Sequence, residues 1–574
     1  MVLKKKVLRL ISNIREIGFY KAAVYYIHKK RAARLELKEI QKCHLIEEGE
    51  RKRQKEERFA YSPCVSIITP LYNTPPSFLK DLLDSVQKQT YANWELCLAD
   101  GSDEQHKYVG EMCIEYAEKD SRFVYKKLKR NDGIVGNTNQ AIKMCSGEYC
   151  GLLDHDDILH ESALYECIKE IQNRADFVYT DEMKFRSTIE QSSDIICKPG
   201  FGKDELRSHN YICHFVMFRK KLLDGMDALY RKECEGSQDY DMVLRLTERA
   251  EKIVHIPKIL YYWRVHSESV AMDLSVKAYA VDAAKRAIAD QLCRLREAGE
   301  VMCNLPYQTI YRIKYNINRN PLVSICVWGE NIKDLNMYLK TLLDHTEYRP
   351  LEIIFSSCEQ LGITFQTENV NIIEEDYWEG ELSYEWLERI RGILHGEYIV
   401  FLNSQCMPIV NDWIQEMLMY AQREDVGIVG TYIISEEGKV YFGGGVLDSS
   451  GHAGVHLINY GIKDIDQGYE ANMRYTRNTT VLSALGMMIA KKRMEELGGF
   501  RMEMGDCCDI DLCLRSRRDN YWNVWNCFAK LYYSGHKEIF EYWSQDEKLK
   551  TTWEKEIESG DVFYNPVLKK LKKV

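Results

Sequence analysis

Val65-Ser66-Ile67-Ile68-Thr69-Pro70-Leu71-Tyr72-Asn73 is a β-branched apolar run that stops abruptly in turn residues. Such a run reads as a buried strand whose carboxyl end opens into a loop. Phe78-Leu79-Lys80-Asp81-Leu82-Leu83-Asp84-Ser85-Val86 follows with apolar residues at helical spacing, and Trp94-Glu95-Leu96-Cys97-Leu98-Ala99-Asp100 is a second strand. Strand, helix, strand predicts a parallel sheet, in which ligands gather at the carboxyl ends of the strands. Asp100 and Asp103 fall at such an end.

The same order returns as Leu322-Val323-Ser324-Ile325-Cys326-Val327, Tyr338-Leu339-Lys340-Thr341-Leu342-Leu343-Asp344 and Leu351-Glu352-Ile353-Ile354-Phe355-Ser356-Ser357. Gly147-Glu148-Tyr149 leading to Asp154-His155-Asp156-Asp157 matches Gly396-Glu397-Tyr398 leading to Asn403-Ser404-Gln405. Asp239-Tyr240-Asp241 matches Asp509-Ile510-Asp511, and His266 and His536 each follow 27 positions after the first Asp. Two copies of one fold are the economical reading. Asp100, Asp154 and Asp156 of the first copy become Ser357, Asn403 and Gln405 in the second. Joint loss of three carboxylates points to one ligand that the second copy no longer binds.

Length and composition agree with two large cores. The 574 residues are 45% hydrophobic and 29% charged, with only 11 Pro, which excludes a disordered or fibrous chain. The 19 cysteines never form Cys-x-x-Cys, so they read as core thiols rather than a zinc ribbon or redox pair. A net charge of −9 offers nucleic acid no general attraction. Residues 1–60 nevertheless hold 17 Lys and Arg against 8 Asp and Glu. Val7, Leu10, Ile11, Ile14 and Ile17 recur there at spacings of three and four, a basic amphipathic helix that suits either an anionic membrane surface or the protein's own body. Neither a signal peptide nor a spanning helix is expected. Residues 1–62 are thus read as a helical extension, 63–300 as the first domain, 301–319 as a linker, 320–545 as a second, degenerate domain and 546–574 as a tail.

An apolar strand running into Asp154, Asp156 and Asp157 is costly unless a cation offsets the repulsion, and oxygen ligands suit Mg²⁺ or Mn²⁺. His266 is a candidate imidazole ligand. A hard cation of this kind commonly bridges carboxylates and a substrate diphosphate.

Residues 64–271 resemble an inverting family 2 glycosyltransferase domain of the GT-A fold. The resemblance rests on Thr69 to Asn73, Ala99 to Asp103, Asn131 to Ala141, the Asp154 to Asp157 cluster, Gln238 to Asp241 and Trp263 to His266, in the family's order. It implies an α/β chain of two tandem GT-A (Rossmann-like, mostly parallel sheet) domains with an N-terminal helical extension. By the resemblance, Asp239 is the general base, and Thr69, Pro70, Tyr72, Asp100, Asn139 and Asp154 bind the donor. Asp156 and His266 hold Mn²⁺ or Mg²⁺. The implied partners are a nucleotide-diphosphate sugar and a glycan or lipid-linked acceptor, with no nucleic acid. The implied place is the cytoplasm, peripheral at the inner face of the membrane, and the implied process is bacterial surface-polysaccharide assembly. Asp241 and Arg245 recur in both copies and read as a structural pair. The competing readings are a glycan-binding scaffold, and a sugar nucleotidyltransferase, for which the Gly-rich phosphate loop is missing after the first strand.

Overall fold

The computed structural model describes residues 44–266, 278–304, 306–329, 332, 334–355, 367–375, 383–544 and 546–570. The basic amphipathic stretch from Val7 to Ile17, and Ser357, lie outside these residues.

The first sheet contains β1 (Val65–Leu71), β2 (Trp94–Asp100), β3 (Phe123–Lys127), β4 (Tyr149–Leu152), β5 (Ile158–Leu159), β6 (Phe177–Phe185), β7 (Ser192–Ile196), β8 (Val216–Arg219) and β9 (Ile253–Arg264). Its order is β3-β2-β1-β4-β8-β6-β9-β5, with β7 beside β6. β5, β7 and β8 run against the other strands. β1 is buried along its length except at Pro70, as a central parallel strand covered on both faces must be. The crossover helix Pro76–Gln87 begins at a proline, whose missing N–H is no loss in a first turn. Leu79, Leu82, Leu83 and Val86 form its fully buried stripe. Burial of each such side chain is worth about 1.5–3 kcal/mol.

After the hairpin β10 (Gly299–Asn304) and β11 (Tyr307–Tyr315) come β12 (Val323–Trp328), β13 (Leu351–Phe355), β14 (Val370–Glu374), β15 (Tyr398–Asn403), β16 (Cys406–Pro408) and β17 (Val426–Ser435). The short β18 (Val440–Phe442), β19 (Gly445–His452), β20 (Val455–Leu457) and β21 (Arg477–Asn478) precede β22 (Gly486–Ala490) and β23 (Trp522–Tyr533). The second sheet runs β14-β13-β12-β15-β22-β17-β23-β16. Strand for strand this is the order of the first sheet, so the repeat read from the sequence is a repeat of topology, and the chain holds two tandem Rossmann-like α/β units.

The repeat extends to side chains. Ser66 Oγ donates to Glu95 Oε1 at 2.5 Å and accepts from the Gly147 amide at 2.9 Å. Ser324 Oγ likewise donates to Glu352 at 2.6 Å and accepts from the Gly396 amide at 2.9 Å. A Cβ on Gly147 or Gly396 would stand 2.7 or 2.4 Å from that serine oxygen, so both positions require glycine. Asp241 receives Arg231 and Arg245, and Asp511 receives Arg501 and Arg515. Those acids are structural in both halves. All 17 described cysteines are free thiols, and most are buried. No helix among the described residues is long and apolar enough to cross a membrane.

Candidate functional site

The carboxyl ends of β1, β2 and β4 meet at one edge of the first sheet. β1 delivers Thr69 and Pro70 and the loop after it Tyr72; Thr69 is buried, its hydroxyl without a hydrogen-bond partner, while Tyr72 is exposed. Asp100, at the end of β2, is fully buried. It accepts from the Ser102 amide and Tyr125 Oη, each at 2.8 Å, and from Lys127 Nζ at 3.0 Å. Burial pushes its carboxyl up, but these donors outweigh burial and hold it below the usual range.

The β4 loop places its acids differently. Asp154 keeps 43% of its side chain exposed and faces His214 Nε2 at 3.3 Å. Asp156 Oδ2 lies 2.7 Å from His266 Nε2. Asp157 is buried, accepting from Tyr261 Oη at 2.5 Å and the Arg264 amide at 2.7 Å. Burial and the charges of Asp156 and Asp154 lift Asp157 well above the usual range.

Asp239 stands in the first turn of the helix Gln238–Thr247. Tyr230 Oη donates to its Oδ1, and Gln238 Nε2 donates to its Oδ2 at 3.1 Å. Burial and the Asp154 charge raise its carboxyl, and the Tyr230 bond opposes them. Asn139 spends its amide on the main chain of Tyr230, donating to the carbonyl at 2.8 Å and accepting from the N–H at 3.0 Å. It therefore reaches the site through Tyr230.

Sequence reasoning missed Tyr230 and a buried line behind Asp154. His214 stacks on Tyr261 with ring centroids 5.0 Å apart. Its Nδ1 lies 3.7 Å from Glu182, which takes a 3.0 Å hydrogen bond from the buried ammonium of Lys198. Burial disfavours an imidazolium here, but Asp154 and Glu182 outweigh it and keep His214 protonated well above its ordinary range. One signal was available: Asp181-Glu182 sits inside the strand Phe177–Phe185 between Phe177-Val178-Tyr179 and Met183, and buried acids in a strand need partners.

Among the described residues, no three His, Cys, Asp or Glu side chains form a metal cage. The carboxylate and imidazole of Asp156 and His266 nevertheless make a mixed oxygen and nitrogen donor pair that suits Mn²⁺. Sites of this class take one or two carboxylates and leave other positions to substrate phosphates and water, so the pair fits such an ion.

The corresponding edge of the second half is closed. Asp509 is buried and accepts from the Ala484 amide at 3.0 Å, the Ile510 amide at 2.8 Å and Trp543 Nε1 at 3.1 Å. Burial raises its carboxyl to about 6. Trp543 is fully buried, Trp328 Nε1 donates to Ala484 O at 2.9 Å, and Asn403 turns back to accept from the Gln405 amide at 3.0 Å. His536 is exposed.

Residues 66–226 match the model of Glycosyl transferase family 2. An uncharacterized protein of Sinorhizobium fredii is 31% identical over 89% of this chain and 58% of its own length. The O-antigen biosynthesis protein RfbC of Myxococcus xanthus is 29% identical over 80% of this chain and 36% of its own length. The chain thus spans under two thirds of either relative. Among solved structures, S. aureus TarS 1-349 in complex with UDP-GlcNAc aligns over 40% of this chain and 66% of its own, at 19% identity and a TM-score of 0.33.

Proposed function

We propose that the first half is an inverting glycosyltransferase that moves a sugar from a nucleotide diphosphate to a glycan or lipid-linked acceptor in surface-polysaccharide synthesis. The observation that carries this reading is Asp239, whose carboxyl is raised by burial and by the nearby charge of Asp154, two residues before the Asp156 that faces His266. The O-antigen biosynthesis relative supports the polysaccharide context.

A sugar hydroxyl is a weak nucleophile at neutral pH. Asp239 accepts its proton as the acceptor oxygen bonds to the anomeric carbon from one side and the carbon–oxygen bond to the diphosphate breaks on the other. One such displacement inverts the anomeric configuration. A base whose pKa is lifted toward neutrality is better matched to this proton than an ordinary aspartate. Tyr230 fixes the carboxylate's orientation, and Asn139 fixes Tyr230. His214 orients Asp154 toward the donor, and Asp100 rigidifies the β2 turn that borders it. Asp156 and His266 would hold Mn²⁺ or Mg²⁺, which supplies Lewis-acid neutralisation of the leaving diphosphate.

The reading is tested by thermal-shift screening of nucleoside diphosphates and nucleotide sugars with and without Mn²⁺. A ligand at a hundred times its Kd stabilises the native state by about 2.7 kcal/mol. A Mn²⁺-dependent shift that Asp156→Ala removes is expected. Its absence for every nucleotide refutes the proposal.

A further inference from the structure

Residues 197–214 join β7 to β8 and carry both Lys198 and His214, yet their only α-helix is the six-residue Lys203–Ser208. Much of what holds this stretch comes from elsewhere in the chain. The Cys197 amide donates to Tyr469 Oη at 2.9 Å, the Gly200 amide to Val562 O at 2.7 Å and the Asp204 amide to Asn478 Oδ1 at 2.8 Å. Asn478 Nδ2 returns a bond to Asp204 Oδ2 at 3.0 Å, and Arg423 pairs with the same carboxylate. Ser208 Oγ donates to Thr476 O at 2.7 Å, and Tyr475 Oη to Glu205 Oε1 at 3.2 Å.

The C-terminal segment adds the most direct link. Asn565 is buried, and its Nδ2 donates to Asp181 Oδ2 at 2.8 Å and to Lys198 O at 2.9 Å. Leu568 packs with Met183, Phe185 and Ile259 of the first sheet. From this anchored backbone the Lys198 ammonium reaches Glu182 and the carbonyls of Ile212, Cys213 and His214. The turn that Lys198 wraps is the one that presents His214 to Asp154. His214 has φ +51°, a left-handed backbone that a non-glycine residue keeps only where its surroundings over-determine it.

We propose that the second half and the C-terminal segment serve the first half as a positioning device. Asn565, through Asp181 and Lys198, together with Tyr469, Tyr475 and Asn478, holds residues 197–214 so that His214 pins Asp154 at the donor site. This accounts for a second unit whose own sheet edge is filled by Trp543 and whose Asp509 has no open face. The inference rests on the reading of the first half as the transferase. The positioning residues touch no substrate in this account.

The test uses the full chain with Asn565→Ala, the near-isosteric Asn565→Asp and Gly200→Ala. A Cβ at position 200 would lie 2.0 Å from Val562 O, so that substitution displaces the strap by one methyl. Amide hydrogen exchange over 197–214 is read alongside titration with UDP, dTDP and GDP in Mn²⁺. Faster exchange confined to 197–214 and the loop at 154–157 is expected, with about tenfold weaker binding of whichever nucleotide the wild type takes. Donor KM rises to match while kcat stays within a few-fold. The order of damage separates hydrogen bonding from shape: Asn565→Asp, which sets an acceptor against Asp181 Oδ2 and Lys198 O, is worse than Asn565→Ala. Asn565→Asp behaving as wild type overturns the inference. So does unchanged exchange at 197–214, or faster exchange with nucleotide binding intact. If the wild type binds none of the three nucleotides, the transferase reading fails, and exchange at 197–214 and 154–157 alone decides the positioning claim in the same directions. If the Asn565 variants do not fold, Gly200→Ala decides by the same exchange and binding criteria.

Discussion

Removing one hydroxyl from the site is expected to move the pH dependence of the reaction. Tyr230 Oη donates to Asp239 Oδ1, and this bond opposes the rise that burial and the Asp154 charge impose on the carboxyl. A hydrogen bond to a charged group is worth about 1.5–3 kcal/mol, and one pH unit corresponds to about 1.36 kcal/mol. Tyr230→Phe therefore raises the Asp239 pKa by about one to two units. Because the base acts only when ionised, the acidic limb of kcat/KM lies at that pKa and moves to higher pH. One unit below the wild-type limb, kcat/KM falls about ten- to a hundredfold, while the two enzymes converge at the alkaline end. Asp154→Asn removes a charge that lifts Asp239 and moves the limb the opposite way. The assay is the initial rate of nucleoside diphosphate release between pH 5 and 9. A Tyr230→Phe limb that stays in place or moves down, or a loss equal at every pH, refutes the reasoning.

Two further outcomes follow from the interface and the second half. Burial lifts the Glu205 carboxyl to about 7 from an ordinary 4.5, so between those values the native state keeps a proton that the unfolded chain has released. Its contribution is then greatest below about 4.5 and is lost as pH rises through about 7, on the order of 3 kcal/mol in all. Glu205→Gln flattens this slope and raises the denaturation midpoint at pH 8 more than at pH 5. Asp509→Asn sets an amide NH₂ against the Ala484, Ile510 or Trp543 donors and costs about 1–3 kcal/mol of stability in urea unfolding. Transfer per folded molecule stays at the wild-type value.

Much of the architecture was legible because the repeat is written in local patterns. Gly147-Glu148-Tyr149 and Gly396-Glu397-Tyr398 start equivalent strands, and both glycines answer the same serine oxygen. The acids after β4 stood out as a cluster for the same reason, while their separate surroundings did not: Asp154 faces His214, Asp156 faces His266 and Asp157 is bonded into the core. Tyr230, His214, Glu182 and Lys198 were not legible, since each gains its meaning from a partner that no periodicity or motif ties to it. Tyr230 meets Asp239 only after the intervening loop folds back, and Lys198 is fixed by Asn565, which lies 367 positions away. The closing of the second site was equally hidden. Asp509 aligns with Asp239 in sequence, and only the packing of Trp543 shows that its carboxylate is spent.

The measurement that bears most directly on the central claim is Asp239→Asn, examined by calorimetric titration with the donor nucleotide and by single-turnover transfer. General-base assistance contributes about 10²–10⁴-fold, so the account predicts a transfer rate lower by that factor with donor affinity within a few-fold of wild type. Transfer that persists at the wild-type rate, or donor affinity that collapses together with it, would contradict the assignment of Asp239 as the base.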